Sequence, residues 1–256
     1  MTVRLHHRVS GRLDRPTVVI GGSVGSTLAT WEAVLAALAV EFHVIAYDHR
    51  GHGGSPAPVG PYIIDDLAQD VLALLDEYQV ARAHVVGLSL GGMVAQLIAA
   101  RRPHRVDRLV LLCTAAHYPD PRPWRERAAI VRLRGTEAIA DEALDRWLTA
   151  DYRSGHPEET VRLRKMIAGI DREGYAGCCE AIADMDLRPD LSRIQAATLV
   201  LAGAEDPALP TEQMRELAAA ISGSQFVIVA GAHVPTIEHP DIVTRLLLEH
   251  LGAGTA

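Results

Sequence analysis

Gly87-Leu88-Ser89-Leu90-Gly91 separates an apolar run at residues 83–86 from a helix-like one at residues 93–100. A serine between two glycines at a strand-to-helix junction marks a turn too sharp for side chains at the flanking positions. Such a turn lifts the serine hydroxyl clear of the sheet edge. It also aims the first backbone N–H groups of the following helix at whatever the serine attacks. The strand before and the helix after, more than the motif itself, point to Ser89 as a nucleophile.

The chain has 256 residues, 48% of them hydrophobic, enough to bury one large core. Its formal charge of −7 argues against nucleic acid and anionic membranes as partners. A small anionic substrate would need a local cation to hold it against that field. Three cysteines, Cys113, Cys178 and Cys179, make no disulfide framework, and no Cys or His spacing suggests a metal. No metal and no cofactor are expected, and Cys178 and Cys179 read as small core residues. Residues 1–7 lack the apolar core of a signal peptide. The longest weakly polar run, residues 85–100, is shorter than the roughly 20 residues of a membrane span. The expectation is a cytoplasmic protein; the sequence carries no signal of oligomeric state.

Working outward from the serine, short β-branched runs alternate with helical patterns. Residues 17–20, 42–47, 84–87, 109–113, 198–202 and 226–229 read as strands, several apolar throughout as strands covered on both faces should be. Helical patterns fall at 63–78, 93–101, 211–220 and 241–250. Alternation of this kind predicts an α/β fold, a mainly parallel sheet with helices on both faces. Residues 3–9 should form an antiparallel edge by pairing with the next strand. Between residues 118 and 194 the pattern is helical without a convincing strand, as at 124–132, 137–148 and 159–168. We therefore expect a core of residues 1–117 and 195–256 with a helical cap, 118–194, inserted over the carboxyl edge of the sheet. The tail, residues 252–256, should fray. Turn, alternation and insertion together resemble the α/β-hydrolase fold.

A serine hydroxyl needs a base within hydrogen-bond reach, and the base needs an orienting acid. In that fold the chain order is serine, acid, histidine. After the strand that follows the cap comes Ala204-Glu205-Asp206-Pro207, so Asp206 is the candidate acid and Glu205 the runner-up. After the last strand, Gly231-Ala232-His233 supplies the base. The other eleven histidines have no motif that gives them this role. His49 and His52, in Asp48-His49-Arg50-Gly51-His52-Gly53, read as parts of a structural turn. The oxyanion hole should combine the N–H of Leu90 with one from the loop Gly21-Gly22-Ser23, at Ser23.

The chain is similar to the 3-oxoadipate enol-lactonases over nearly its whole length. The resemblance is carried by Gly87-Leu88-Ser89-Leu90-Gly91-Gly92-Met93-Val94, by Tyr47 to Gly53, and by Thr114-Ala115-Ala116. Its most specific part is Glu173-Gly174-Tyr175-Ala176-Gly177-Cys178-Cys179-Glu180-Ala181-Ile182, then Asp184-Met185-Asp186-Leu187. A cap tryptophan followed three positions later by arginine, here Trp124 and Arg127, is also shared. The resemblance implies a cofactor-free serine hydrolase of aromatic catabolism that opens the enol-lactone to 3-oxoadipate. It further implies that Trp124 and Arg127 bind a small anionic lactone, Arg127 reading its carboxylate. Val234-Pro235-Thr236 and Gly21-Gly22-Ser23 depart from the family pattern, and no fused decarboxylase is expected. An esterase or lactonase of the same fold with another substrate is the alternative. A non-catalytic receptor would have no need of Ser89, Asp206 and His233 together.

Overall fold

Apolar β-branched runs satisfy their backbone groups and cover both faces only inside a sheet flanked by helices. The computed structural model describes residues 1–252 and builds one seven-stranded sheet from these runs. In chain order the elements are β1 (His7–Ser10), β2 (Thr17–Gly21), α1 (Glu32–Glu41), β3 (His43–Tyr47), α2 (Ile64–Glu77), β4 (Ala83–Leu88), α3 (Leu90–Arg101) and β5 (Val106–Leu112). Five helices follow: α4 (Arg122–Arg134), α5 (Ala140–Trp147), α6 (Ala150–Gly155), α7 (Pro157–Ala168) and α8 (Arg172–Asp184). The chain then returns through β6 (Ala197–Gly203), α9 (Thr211–Ala219), β7 (Gln225–Val229), α10 (Pro235–Glu238) and α11 (Pro240–Leu251).

The strand order is β1-β3-β2-β4-β5-β6-β7, with every pair parallel except β1 with β3. The antiparallel edge is therefore present, but its partner is not the next strand. Both edges of β2 are taken by β3 and β4, so β1 pairs with the free edge of β3, His7 opposite Tyr47. The central strands β3 and β4 are buried along their whole length, which is why they read as continuous apolar runs. Helix α1 had no distinct sequence pattern, because its alanines and valines lie all around its circumference. Gly252 closes α11 in the left-handed conformation, φ +85°. Residues 253–256, where fraying was expected, lie outside the described residues. No helix among the described residues is long and apolar enough to cross a membrane.

The parallel topology brings the carboxyl ends of β2, β4, β6 and β7 to one edge, each followed by a loop that carries a candidate residue. Helices α4 and α8 pack against one another, and α8 reaches the loop after β3 at one tight point. A Cβ on Gly174 would lie 2.3 Å from the Gly51 Cα, and one on Gly51 would lie 2.2 Å from the Gly174 Cα. Two glycines facing each other let helix and loop touch backbone to backbone.

Candidate active site

The turn between β4 and α3 holds Ser89 at φ +55°, ψ −113°, a conformation costly for a residue with a side chain. Its neighbours force the glycines. A Cβ on Gly87 would meet the Gly91 carbonyl at 2.2 Å, and one on Gly91 would meet the Gly21 carbonyl at 2.4 Å. The strain is held from several sides. Ser89 N–H donates to the Leu112 carbonyl at 2.9 Å, while the Ser89 carbonyl accepts from Thr114 Oγ1 at 2.7 Å and from Met93 N–H at 3.0 Å. The Gly91 N–H is taken by the Gly22 carbonyl at 2.9 Å. The N–H of Leu90, the first residue of α3, stands outside the helix's own ladder.

The loop after β2 faces this turn and is pinned by two buried histidines. His49 Nε2 donates to the Gly22 carbonyl at 3.0 Å, and His52 Nε2 accepts from Gly25 N–H at 2.9 Å. Burial pushes both imidazoles below their ordinary pKa, His49 to about 3, with the neighbouring His52 a further cause. Neutral rings suit these roles, since His52 Nε2 must keep its lone pair. Ser23 is buried in the same loop, and its carbonyl accepts from Ser26 N–H at 3.1 Å and Oγ at 2.8 Å.

After β6, Asp206 is buried whereas Glu205 is exposed. Asp206 Oδ1 accepts from the N–H groups of Ala208 and Leu209 at 2.8 and 3.1 Å. Its Oδ2 stands 2.7 Å from His233 Nδ1, so the carboxylate holds the Nδ1–H tautomer and leaves Nε2 free to take a proton. The histidine loop is fastened to the end of α5. His233 N–H donates to the Arg146 carbonyl at 3.4 Å and Val234 N–H to the Trp147 carbonyl at 3.0 Å.

Ser23, Ser89, Trp124, Arg127 and His233 line one cavity of about 440 Å³ beneath the helices α4, α5 and α8. Asp206 sits behind His233, and Leu90 lies fully buried under the turn. Of the twelve histidines, His233 is the one on this wall. Arg127 is 8% exposed. Its Nη2 donates to Glu142 Oε1 at 2.5 Å, its Nη1 to the Tyr175 hydroxyl at 3.3 Å, and its Cζ lies 5.7 Å from the Trp124 ring centroid. Arg146, on α5, lines the same cavity and reaches the same Glu142 oxygen at 3.1 Å. Nothing in the sequence marks Arg146 and Glu142 for this place. Their i,i+4 spacing resembles an ordinary surface pair, and only the packing of α5 over the cavity sets them apart.

Cys113 Sγ, an Asp206 carboxylate oxygen and a His233 ring nitrogen lie within 4.8 Å of one another, among the described residues the one such cluster able to hold a metal. Burial raises the Cys113 thiol well above its usual range, and the His233 Nδ1 faces Asp206. A neutral thiol beside a hydrogen-bonded acid–imidazole pair is a poor donor set for a metal, which wants a thiolate and a free ring nitrogen. Cys178 and Cys179 are fully buried in α8, and burial raises both thiols, Cys179 to about 12.

A family model for the alpha/beta hydrolase fold matches residues 15–146. The chain is 38% identical over 238 residues to 3-oxoadipate enol-lactonase 2 of Acinetobacter baylyi, covering 93% of this chain and 89% of that one. Among solved structures, the enol-lactonase from Burkholderia xenovorans superposes with a TM-score of 0.95 at 41% identity, covering 97% of this chain and 96% of that one. A thermophilic esterase from Thermogutta terrifontis superposes with a TM-score of 0.92 at 30% identity, covering 97% and 93%.

Proposed function

Because the chain belongs to the α/β-hydrolase family, a hydrolase among enol-lactonase relatives, we propose that its cavity opens 3-oxoadipate enol-lactone to 3-oxoadipate through an acyl-enzyme on Ser89. The observation that carries this reading is the shared wall of the 440 Å³ cavity. Ser89, His233 with Asp206 behind it, and a buried arginine all bear on one space. In this reading residues 118–194 are the cap, and residues 1–117 with 195–256 are the catalytic core.

Ser89 Oγ attacks the ring carbonyl while His233 Nε2 takes its proton. Asp206 holds the imidazole in the required tautomer and steadies the imidazolium. The N–H groups of Ser23 and Leu90 stabilise the oxyanion as charge develops. Collapse of the tetrahedral intermediate breaks the ring C–O bond. His233 protonates the departing enol oxygen, and the enol becomes a ketone. Water, deprotonated by His233, then attacks the acyl-enzyme, and Ser89 leaves with the returned proton. Arg127, with Trp124 beside it, holds the carboxymethyl group that the lactone carries away from the reacting carbonyl.

The experiment is hydrolysis of the enol-lactone beside the neutral p-nitrophenyl acetate, with Ser89→Ala as control. Rapid opening of the lactone, lost by about three or more orders of magnitude in Ser89→Ala, supports the reading. Turnover of the neutral ester alone would make the protein an esterase with another acyl preference. The bond between Arg127 and Glu142 favours that second reading, since it gives Arg127 a partner within the protein.

A further inference from the structure

The two arginines on the cavity wall share one carboxylate. Glu142 Oε1 accepts from Arg127 Nη2 at 2.5 Å and stands 3.1 Å from Arg146 Nη1. The two guanidiniums come from different helices, α4 and α5, and converge on a single oxygen. Like charges brought together inside a cavity wall repel, and nothing in the backbone of either helix requires it. Burial and the charge of Arg127 both push Arg146 below its ordinary pKa, yet a guanidinium remains a cation throughout the working range. Glu142 differs from both arginines in that its side chain is 61% exposed. It is held by the arginines and not by packing, so its carboxylate can shift along the two guanidiniums and share them with a ligand's carboxylate while staying beside them. At the rim, Asp120 and Glu126 also face the cavity, but Asp120 is in a two-pronged pair with Arg122, and Glu126 is exposed to solvent and acts on that same Arg122, so neither enters the charge balance of the three bonded groups.

We propose that Arg127, Arg146 and Glu142 form one carboxylate receptor in which Arg146 is a second ligand for the substrate's remote carboxylate. Glu142 is its built-in counter-ion. Two arginines less one glutamate leave a single positive charge, which sets the site for a ligand bearing one negative charge. A dianion meets the Glu142 carboxylate as well as the arginines and is disfavoured. The proposal deepens the lactonase reading and rests on it for the identity of the substrate, but the receptor's preference for charge can be measured without the lactone.

The test measures inhibition of p-nitrophenyl acetate hydrolysis by hexanoate and by adipate, chains of equal length with one and two carboxylates. It compares the wild type with Arg146→Met, Arg146→Lys and Glu142→Gln. In Arg146→Met both inhibitors should weaken by about 10-fold or more, the loss of one forked, charge-assisted contact. Arg146→Lys should recover part of that, since it keeps the charge without the fork. In Glu142→Gln adipate should gain about 10-fold relative to hexanoate, because the second carboxylate no longer faces a like charge. Unchanged inhibition constants in Arg146→Met would overturn the role of Arg146. A Glu142→Gln protein with the wild-type adipate-to-hexanoate ratio would overturn the counter-ion, even if the arginine variants fail to fold. If these shifts appear while the wild type leaves the enol-lactone intact, the receptor stands and the lactonase reading falls. Lactone turnover without the shifts overturns the receptor alone.

Discussion

Glu238 in α10 holds Thr149 at the head of α6, accepting its N–H at 2.9 Å and its hydroxyl at 2.6 Å through the same oxygen. The other oxygen accepts from Ala232 N–H at 2.6 Å, one residue before His233. A single half-buried carboxylate thus ties the histidine loop to the helices above the cavity. Glu238→Gln keeps the shape but replaces charge-assisted acceptors with a weaker amide and a misplaced donor. The expected outcome is a kcat lower by about 10-fold with a smaller change in KM, and a Tm lower by a few degrees. Steady-state kinetics and a thermal melt check it. An unchanged kcat would show that the two backbone bonds to Arg146 and Trp147 hold the loop unaided.

Asp206→Asn should leave the fold intact and reduce kcat by about 10³–10⁴. The amide can still accept from Ala208 and Leu209, whose N–H groups now engage Oδ1. Its NH₂ would then face His233 Nδ1 and favour the tautomer with the proton on Nε2, where it cannot serve as a base toward Ser89. Circular dichroism with kinetics on one preparation is the measurement. A drop of less than about 10-fold would mean that His233 needs no carboxylate for its role.

Gly174→Ala separates two opposed effects. In an open helical position the change stabilises by up to about 1 kcal/mol through helix propensity. At Gly174 the new methyl would stand 2.3 Å from the Gly51 Cα, and backbone has no rotamer by which to escape. We expect net destabilisation of about 1–3 kcal/mol in urea unfolding, together with reduced activity as α8 is pushed off the loop after β3. Gly155→Ala, at the end of α6 with nothing within 4 Å of its Cβ, is the matched control and should be neutral or slightly stabilising.

Acid should destabilise the fold earlier than carboxylate protonation alone would predict. His49 titrates near 6.5 in the unfolded chain and near 3 when folded, because burial and His52 disfavour its charged form. Above pH 6.5 neither state takes up the proton and stability is undiminished. Between pH 6.5 and about 3 the unfolded chain binds a proton that the native protein refuses, so stability falls by up to about 1.4 kcal/mol per pH unit for this one group. His49→Gln, whose amide can still donate to the Gly22 carbonyl, should flatten the loss between pH 6.5 and 5. Urea midpoints at pH 7, 6 and 5 decide it; parallel slopes in the two proteins would place the proton uptake elsewhere.

Local signals determined much of this molecule by sequence alone. The glycines at 87 and 91 mark the turn because any side chain there meets backbone within 2.4 Å. Runs such as Ala83–Leu88 and His43–Tyr47 read as buried strands because both faces are covered. The neighbouring Glu205 and Asp206 could be ranked from their place after a strand, and burial separates them. Tertiary structure decided whatever depends on residues far apart in the chain. It sends β1 to β3 because β2 has no free edge. It gives His49 and His52 to the loop after β2, 27 residues away in each case. It joins Arg127 to Glu142 across two helices, and Glu238 to Thr149 across 89 residues. Such bonds leave no periodicity or motif behind. An arginine four residues from a glutamate looks the same on a solvated helix as on one that closes a cavity, and only the place of α5 on the cavity wall tells the two apart.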